Sequence, residues 1–378
     1  MTRKKLMTPG PSPVPSFLRE VLAKEIIHHR TDEFRSILAK VHQGLQSLLF
    51  TKNPVVVLSA SGTGAMEAAV SNLFSKGDKV ITISGGKFGQ RWAEISNSFS
   101  LDVVEIEIEW GDAPDPQMLE KVLAENKDTK AVLTTLCETS TATVYDIEGI
   151  TKIAKKAGAI TVVDAISGLG QDKLLTDQWG VDVVVSGSQK GLMLPPGLSF
   201  VSISDKAKEL MEKSDLPKYY FDLKKALGKH KTNDTPYTPA VTIIVALAAA
   251  LDAINKEGVE VRWQKFAKLA KATQSAAKAL GLSILSSSPS ASATAIKVPE
   301  NIKSSEVVKI LRDKYGLSIA GGQAQLKNKI IRIAHMGWIN AQDLISCFSL
   351  LEVVLKEVGY QFNSGSSLAQ LEEVIYGQ

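Results

Sequence analysis

The feature that most constrains the fold is an alternation, over residues 55–204, of short β-branched runs with longer helix-like stretches. Several of the runs are apolar throughout, which is typical of strands that are covered by helices on both faces of a sheet. The pattern therefore predicts an α/β fold with a mostly parallel sheet. The predicted strands are 55–59, 79–84, 102–108, 130–136, 159–165, 181–186 and 198–204.

The pattern changes after Gly258. We expect a long helix over 261–280, a serine-rich surface loop at 286–292, and then strands and helices in alternation through Glu357. This second part is predicted to be a smaller α+β domain. The predicted division is an N-terminal segment (1–20), a large domain (21–257) and a small C-terminal domain (258–378).

Composition and charge argue against several classes of protein. The net charge of only +4 gives no electrostatic case for a nucleic-acid partner. Cys137 and Cys347 are too few for a disulfide framework and have no metal-ligand spacing, so we expect a cytoplasmic protein without a bound metal. The basic N-terminus lacks a following apolar region, and the apolar run 240–251 ends at Asp252. We therefore predict a buried helix there and no membrane segment.

The first segment that could carry chemistry follows the run 55–59. Ser61, Gly62 and Thr63 open a helix, where free backbone N–H groups and hydroxyls can bind a phosphate. Serine and threonine before a helix also serve as simple N-caps, and that alternative stays open for this segment alone. Glu67 stands where a dinucleotide-binding motif would have its third glycine, so that motif is absent.

Two further segments add a carboxylate and an amine. Asp164 ends the fifth predicted strand, where a carboxylate is either an N-cap, half of an ion pair or the partner of a protonated ring nitrogen. Lys190 follows the sixth strand within a loop rich in glycine and proline, and a partly desolvated lysine there can form an imine with a carbonyl. Because the carboxyl ends of parallel strands share one edge of the sheet, the three segments together favour pyridoxal 5'-phosphate (PLP) as cofactor.

These segments resemble the class V, fold type I, PLP-dependent aminotransferases, and among them the alanine/serine–glyoxylate (serine–pyruvate) aminotransferases. The segment SGSQKGLMLPPG is the most specific, and similar motifs cover most of the chain. They are TPGPS (8–12), HHRTDEF (28–34), SGTGAMEAA (61–69), GKFGQRW (86–92), ETSTAT (138–143), VDAISGLG (163–170), SGSQKGLMLPPG (186–197) and IIRIAHMG (330–337).

The resemblance implies a role for each matching residue around the cofactor. Lys190 is expected to be the Schiff-base lysine and general base, and Asp164 to pair with the pyridine nitrogen. Thr139 is expected near the ring hydroxyl. Phe88 takes the place where relatives stack an aromatic residue, often Trp, on the ring; a core aromatic is the alternative. The phosphate contacts are expected to be Ser61, Gly62, Thr63 and Gln189.

The resemblance also implies a homodimer with shared active sites and a substrate pocket. The loop 235–239 is similar to one that reaches the partner's phosphate, with Thr238 favoured over Thr235. Arg332 matches the arginine that binds the substrate carboxylate, and the backbone near Gly10 lines the same pocket. Without the resemblance, Arg332 would be predicted to be a strand-edge charge that pairs with a glutamate.

The expected activity is a ping-pong transfer of the amino group of alanine or serine to glyoxylate or pyruvate. Phosphoserine, aminoethylphosphonate and aspartate aminotransferases are alternatives within the family. A cysteine desulfurase is a further one, although Phe88 and Gln189 stand where desulfurases carry histidines and neither cysteine is suited to a mobile loop. A different class of function is a noncatalytic, hydrogenase-associated subunit that kept the fold.

Overall fold

The computed structural model describes residues 4–377. The strands are β1 (Lys5–Leu6), β2 (Val55–Leu58), β3 (Lys79–Ser84), β4 (Asp102–Glu107), β5 (Ala131–Thr135), β6 (Cys137–Glu138), β7 (Thr143–Val144), β8 (Ile160–Asp164), β9 (Val183–Gly187), β10 (Ser199–Ile203), β11 (Ser283–Ile284), β12 (Ala293–Lys297), β13 (Leu317–Ser318), β14 (Ala320–Gly321) and β15 (Ile330–Ala334). The helices are α1 (Ser16–Leu22), α2 (Asp32–Leu49), α3 (Gly62–Leu73), α4 (Lys87–Ser98), α5 (Pro116–Glu125), α6 (Ile147–Lys156), α7 (Thr176–Trp179), α8 (Asp205–Lys213), α9 (Leu223–His230), α10 (Val241–Glu257), α11 (Val259–Ala279), α12 (Ser304–Tyr315), α13 (Ala341–Glu357) and α14 (Ser366–Tyr376).

A seven-stranded sheet forms the centre of the molecule, in the order β2-β10-β9-β8-β5-β3-β4. Every predicted run from 55 to 204 supplies one of its strands, so the predicted α/β fold with a mostly parallel sheet is confirmed. Only β10 is antiparallel to its neighbours, β2 and β9. Its connection from β9 contains no helix, whereas a parallel crossover needs one or a comparably long segment.

Helices cover both faces of this sheet, which explains why its strands are apolar throughout. On β8, Val163 packs in one core with α2 and α10, and the adjacent Val162 packs in the other core with α3 and α8. Successive side chains of a strand point to opposite faces, so both must be apolar here. The apolar run 240–251 lies in α10 and packs against α2, as a buried helix. None of the helices within residues 4–377 is long and apolar enough to span a membrane.

A second, four-stranded sheet with the order β11-β12-β15-β14 follows α11. The apolar faces of α11, α12, α13 and α14 form its own core. The serine-rich segment is a loop between β11 and β12, but Ser290 and Ser292 are fully buried, so the expectation of a surface loop is wrong for these two side chains. Helix α14 was not predicted.

The N-terminal segment joins the two sheets. Strand β1 pairs with β13, and Met7 packs in the core of the second sheet. Further along, Ser12 N–H donates to the carbonyl of Gln189 at 2.8 Å, and Ser12 Oγ donates to the carbonyl of Lys190 at 2.7 Å. The residues of this segment therefore lie against the loop that follows β9. The domain boundaries at 20/21 and 257/258 stay a prediction.

Candidate active site

The carboxyl edge of the central sheet brings the amine and the carboxylate of the predicted site together. Asp164 is the last residue of β8, and Lys190 follows the neighbouring strand β9. Lys190 Nζ donates to Ser167 Oγ at 3.2 Å and to the carbonyl of Pro9. Ser167 Oγ also accepts from Thr139 Oγ1 at 2.5 Å. Ser167 and Pro9 were not predicted, because only the fold places them beside the lysine.

Lys190 is buried, which favours the neutral form of its amine. Burial lowers the pKa of Lys190 to about 8, and the positive charges of Arg332 and Arg91 act in the same direction. A lysine with such a pKa has a substantial neutral fraction near neutral pH. It can therefore act as a nucleophile or as a base.

Asp164 is a buried carboxylate with one hydrogen bond within residues 4–377, which Ile166 N–H donates at 2.7 Å. Burial raises its pKa to about 7. No lysine or arginine lies within ion-pair distance of Asp164 in the described part of the chain, so the ion-pair alternative does not hold there. A buried carboxylate with this environment is suited to a cationic ring nitrogen of a ligand.

The residues at the start of α3, 61–63, form an open cradle. Ser61 precedes the helix in an extended conformation, and its hydroxyl makes no capping hydrogen bond. A β-carbon on Gly62 would lie 2.3 Å from Ile166 Cδ1, and one on Gly187 would lie 3.0 Å from Gln189 Oε1, so glycine at both positions leaves room for these side chains. Gln189 Oε1 is buried and has no hydrogen-bond partner within residues 4–377. The predicted phosphate residues therefore lie together, with a polar atom left for a ligand.

Arg91, which lies in α4, and Glu138, which lies in β6 and contacts the start of α4, were not assigned roles from sequence. Arg91 donates to Thr63 Oγ1 at 3.2 Å and lies over the ring of Phe88, with its guanidinium carbon 4.9 Å from the centroid. Arg91 therefore places a cation beside the cradle. Glu138 accepts hydrogen bonds from the backbone N–H groups of Phe88 and Gly89 at 3.0 and 2.8 Å. The absence of an acidic residue in the first turn of α4 was a signal that the cap must come from elsewhere.

Phe88 is half-buried at the start of α4, and its ring centroid lies 5.9 Å from Lys190 Nζ. It faces the lysine and packs in none of the buried cores. A ligand bound to Lys190 would therefore have an aromatic surface beside it.

Arg332 lies in the middle of β15, between β12 and β14. Its Nη1 donates to the carbonyl of Thr139 at 2.7 Å, and its Nε and Nη2 donate to the carbonyl of Gly321 at 3.1 and 3.0 Å. The sequence-only alternative of a strand-edge charge paired with a glutamate is wrong, because its hydrogen bonds within the described residues go to backbone carbonyls. Burial lowers its pKa to about 10, so it remains a cation at neutral pH.

The loop with Thr235 and Thr238 makes no hydrogen bond to these residues within the described chain. Thr235 is buried; its Oγ1 donates to the carbonyl of Tyr237 at 2.8 Å, and its own carbonyl accepts from Arg30 at 2.8 Å. Thr238 is exposed. The choice of Thr238 as the residue that reaches a partner subunit stays a prediction.

Both cysteines are buried and inert. Cys137 Sγ lies 3.2 Å from Ser292 Oγ, and burial raises the pKa of its thiol to about 12. Burial raises the pKa of Cys347 to about 12 as well. Neither thiol is ionised at neutral pH, and neither lies in a mobile loop.

Comparison with known proteins decides the family. The profile of the class-V aminotransferases matches residues 17–342. The chain belongs to the class-V aminotransferase family. It is 33% identical to an L-aspartate–glyoxylate aminotransferase of Paracoccus denitrificans, over 98% of this chain and 96% of that protein. Its structure matches that of an alanine–glyoxylate aminotransferase of Nostoc sp. with a TM-score of 0.90 at 26% identity, covering 94% of this chain and 96% of the other.

Another member of this similarity group carries a different name. A protein of Anabaena cylindrica named soluble hydrogenase 42 kDa subunit is 42% identical to this class-V aminotransferase over 98% of both chains. The family assignment rests on the profile match over residues 17–342, so the name of that relative does not change it.

Proposed function

We propose that this aminotransferase transfers the amino group of a small amino acid, alanine or serine, to a 2-oxo acid, glyoxylate or pyruvate. The observation that carries the proposal is the placement of Lys190. Its amine is buried, has a pKa lowered to about 8, and lies at the same sheet edge as Asp164 and the open start of α3. The substrate arginine Arg332 is connected to it through Thr139 and Ser167.

The residues present fit PLP. Lys190 would hold its aldehyde carbon, Asp164 its ring nitrogen and Phe88 one face of its ring. The phosphate would lie at the start of α3, where backbone N–H groups and the hydroxyl of Ser61, which caps no N–H group of the described chain, can donate to it. Arg91 adds a cation there through its hydrogen bond to Thr63. When bound, PLP accepts the electrons that are left on the Cα of an amino acid as a proton departs.

The chain's own residues then divide the remaining work. Arg332 binds the α-carboxylate, and charge-assisted hydrogen bonds of this kind contribute about 1.5–3 kcal/mol each. The neutral amine of Lys190 removes the Cα proton of the donor amino acid. In the second half of the cycle, it delivers a proton to the Cα of the amino acid that is formed from the 2-oxo acid. Donor and acceptor both need Arg332 for their carboxylates. The first product must therefore leave before the second substrate enters, which is a ping-pong order.

The number of acidic groups on the preferred substrate follows from the arginines around the site. Arg332 would be engaged by the α-carboxylate, and Arg91 donates to Thr63 at the phosphate cradle. This arrangement favours donors without a second acidic group. Aspartate is the closest competitor, since one similar protein is named an L-aspartate–glyoxylate aminotransferase.

A homodimer is part of the proposal. Tyr219 and Tyr220 are 74% and 47% exposed, and they pack around Tyr237 in the loop that carries Thr238. Exposed aromatic side chains of this kind favour a protein interface. A second copy of the chain would cover these tyrosines. Thr238 of each copy would then lie beside the cofactor phosphate of the other copy.

One experiment tests the activity and separates it from the alternatives. Purified protein is incubated with PLP and with alanine, serine, aspartate or phosphoserine against glyoxylate, pyruvate and 2-oxoglutarate. We expect turnover with alanine or serine and glyoxylate or pyruvate, and none in Lys190→Ala. A protein that binds no PLP and shows no half-reaction with any donor would instead support the noncatalytic hydrogenase-associated subunit.

A further inference from the structure

Glu138 is a fully buried carboxylate with four hydrogen-bond donors, none of them a basic side chain in residues 4–377. Its Oε2 accepts from the backbone N–H groups of Phe88 and Gly89 at 3.0 and 2.8 Å. Its Oε1 accepts from the N–H and the hydroxyl of Ser140 at 3.0 and 2.5 Å. A buried carboxylate is costly unless such bonds compensate it, so this arrangement is specific.

Two of the four donors belong to the first turn of α4, which has no cap of its own. No side chain caps this helix locally, and its first turn contains no acidic residue. Free N–H groups at a helix start carry partial positive charge, and Glu138 satisfies them from a different part of the chain. A β-carbon on Gly86 would lie 2.4 Å from Glu138 Cδ, so the glycine leaves room for the carboxylate.

The turn that Glu138 holds carries Phe88, whose ring lies 5.9 Å from Lys190 Nζ. Glu138 is also followed directly by Thr139, which accepts from Arg332 and donates to Ser167. The two residues Glu138 and Thr139 thus connect the turn that carries Phe88 with Arg332 and, through Ser167, with Lys190. Arg332 is held by the backbone carbonyl of Thr139 and makes no hydrogen bond to the Glu138 side chain within residues 4–377.

We propose that Glu138 is a positioning residue for the cofactor: by fixing the first turn of α4, it sets the ring of Phe88 against the face of bound PLP. This inference rests on the proposed function, since Phe88 needs a bound ring to cover. A purely structural cap would stabilise the fold without affecting how PLP is held. The two roles therefore differ in measurable properties of cofactor binding.

The test compares Glu138→Gln with two other variants. The glutamine keeps the size of the side chain but loses the charge and one acceptor oxygen. Asp182→Asn is the matched control. Asp182 accepts from Thr161 N–H at 3.1 Å and from Ser204 Oγ at 2.9 Å, and it precedes β9 at the opposite edge of the same sheet. Phe88→Leu removes the ring whose position is in question.

Each apoenzyme is titrated with PLP, and the circular dichroism of the bound cofactor is recorded. We expect Glu138→Gln to raise the dissociation constant of PLP about 2- to 10-fold, which is the effect of losing one aromatic stacking contact. We also expect it to change the visible circular dichroism as Phe88→Leu does. The double variant should bind PLP no more than about twofold more weakly than Phe88→Leu, because both changes act through one contact. The KM of the donor should change less than about threefold, since the hydrogen bonds of Arg332 to carbonyl groups remain.

Wild-type PLP affinity and circular dichroism in a folded Glu138→Gln, or effects that add fully to those of Phe88→Leu, would overturn the inference. If the glutamine variant does not fold, Glu138→Asp is used, because its carboxylate is one methylene too short to reach α4. The same shifts are expected there, and wild-type values would contradict the proposal. A wild-type protein that fails to bind PLP contradicts the proposed function itself, which is a separate outcome.

Discussion

Gly10 lies so close to Lys190 that a β-carbon on Gly10 would come within 2.2 Å of Lys190 Cε. Gly10 also has a φ of +113°, which residues with a side chain rarely adopt. Two independent reasons thus require glycine beside the lysine. The close approach gives a structural basis for the prediction that this segment lines the pocket.

Gly10→Ala is expected to displace the Lys190 side chain and lower kcat about 100-fold, the typical effect of misplacing a reacting group by about 1 Å. The control is Gly158→Ala, which also has a positive φ but no atoms within 4 Å of the added carbon. Thermal unfolding should show a comparable backbone penalty in both variants. Steady-state kinetics should show the loss only in Gly10→Ala. Equal activity of the two variants would contradict the close approach.

The rate at which apoenzyme captures PLP should depend on the ionisation of Lys190. Its pKa is lowered to about 8, so the neutral, nucleophilic amine accumulates as the pH rises through that value. We expect the capture rate to rise from pH ~6 to ~8 and to level off above about pH 9, whereas an ordinary lysine would continue to gain up to about pH 11. Stopped-flow absorbance measures the rate. A rise that continues past pH ~10 would mean that burial does not depress this pKa.

Replacing Arg332 should lower kcat/KM for substrates that bind through an α-carboxylate. Arg332→Gln removes charge-assisted hydrogen bonds, so kcat/KM for alanine should fall about 10- to 100-fold or more. Arg332→Lys should recover little of it, because an ammonium cannot bind a carboxylate bidentately. Arg312→Gln is the matched control, since Arg312 is exposed and pairs with the adjacent Asp313. PLP affinity should stay within about threefold in all of these variants, because the role we propose for Arg332 is to bind the substrate carboxylate and not the phosphate.

The two cysteines give a direct test against desulfurase chemistry. Burial raises the thiol pKa of Cys137 and Cys347 to about 12, so neither supplies a thiolate at neutral pH. The double variant Cys137→Ser, Cys347→Ser should transaminate at a rate within about threefold of the wild-type rate, because serine is close in size to cysteine and the proposed reaction uses neither thiol. If the wild-type protein released sulfide from cysteine and the double variant did not, a cysteine desulfurase would be supported instead.

The sequence allowed the fold, and the position of two proposed site residues in it, to be predicted for physical reasons. Doubly buried strands are apolar throughout, and a sheet with crossover helices places Asp164 and Lys190 at one edge whatever the details of the loops. Glu138 and Arg91 were missed as site residues, because their roles depend on which segment each meets in three dimensions. Arg332 could be matched to a family motif, yet its backbone partners could not be foreseen.

Burial of polar side chains was the least predictable property. Ser290 and Ser292 lie in a stretch whose composition indicates a surface loop, but both are fully buried. Ser290 Oγ donates to Asp172 Oδ2 at 2.6 Å, and Ala291 N–H donates to Asp172 Oδ1 at 2.7 Å. Burial raises the pKa of Asp172 to about 6. Such a contact joins segments far apart in the chain, which local composition does not encode.

The most direct test of the account is the location of the cofactor on the chain. The protein is loaded with PLP, reduced with borohydride, digested and analysed by mass spectrometry. We expect one phosphopyridoxyl group, on the peptide that contains Lys190, and none in Lys190→Ala. Absence of the label from the wild-type protein, or its attachment to a different lysine, would contradict the central claim that Lys190 anchors the cofactor.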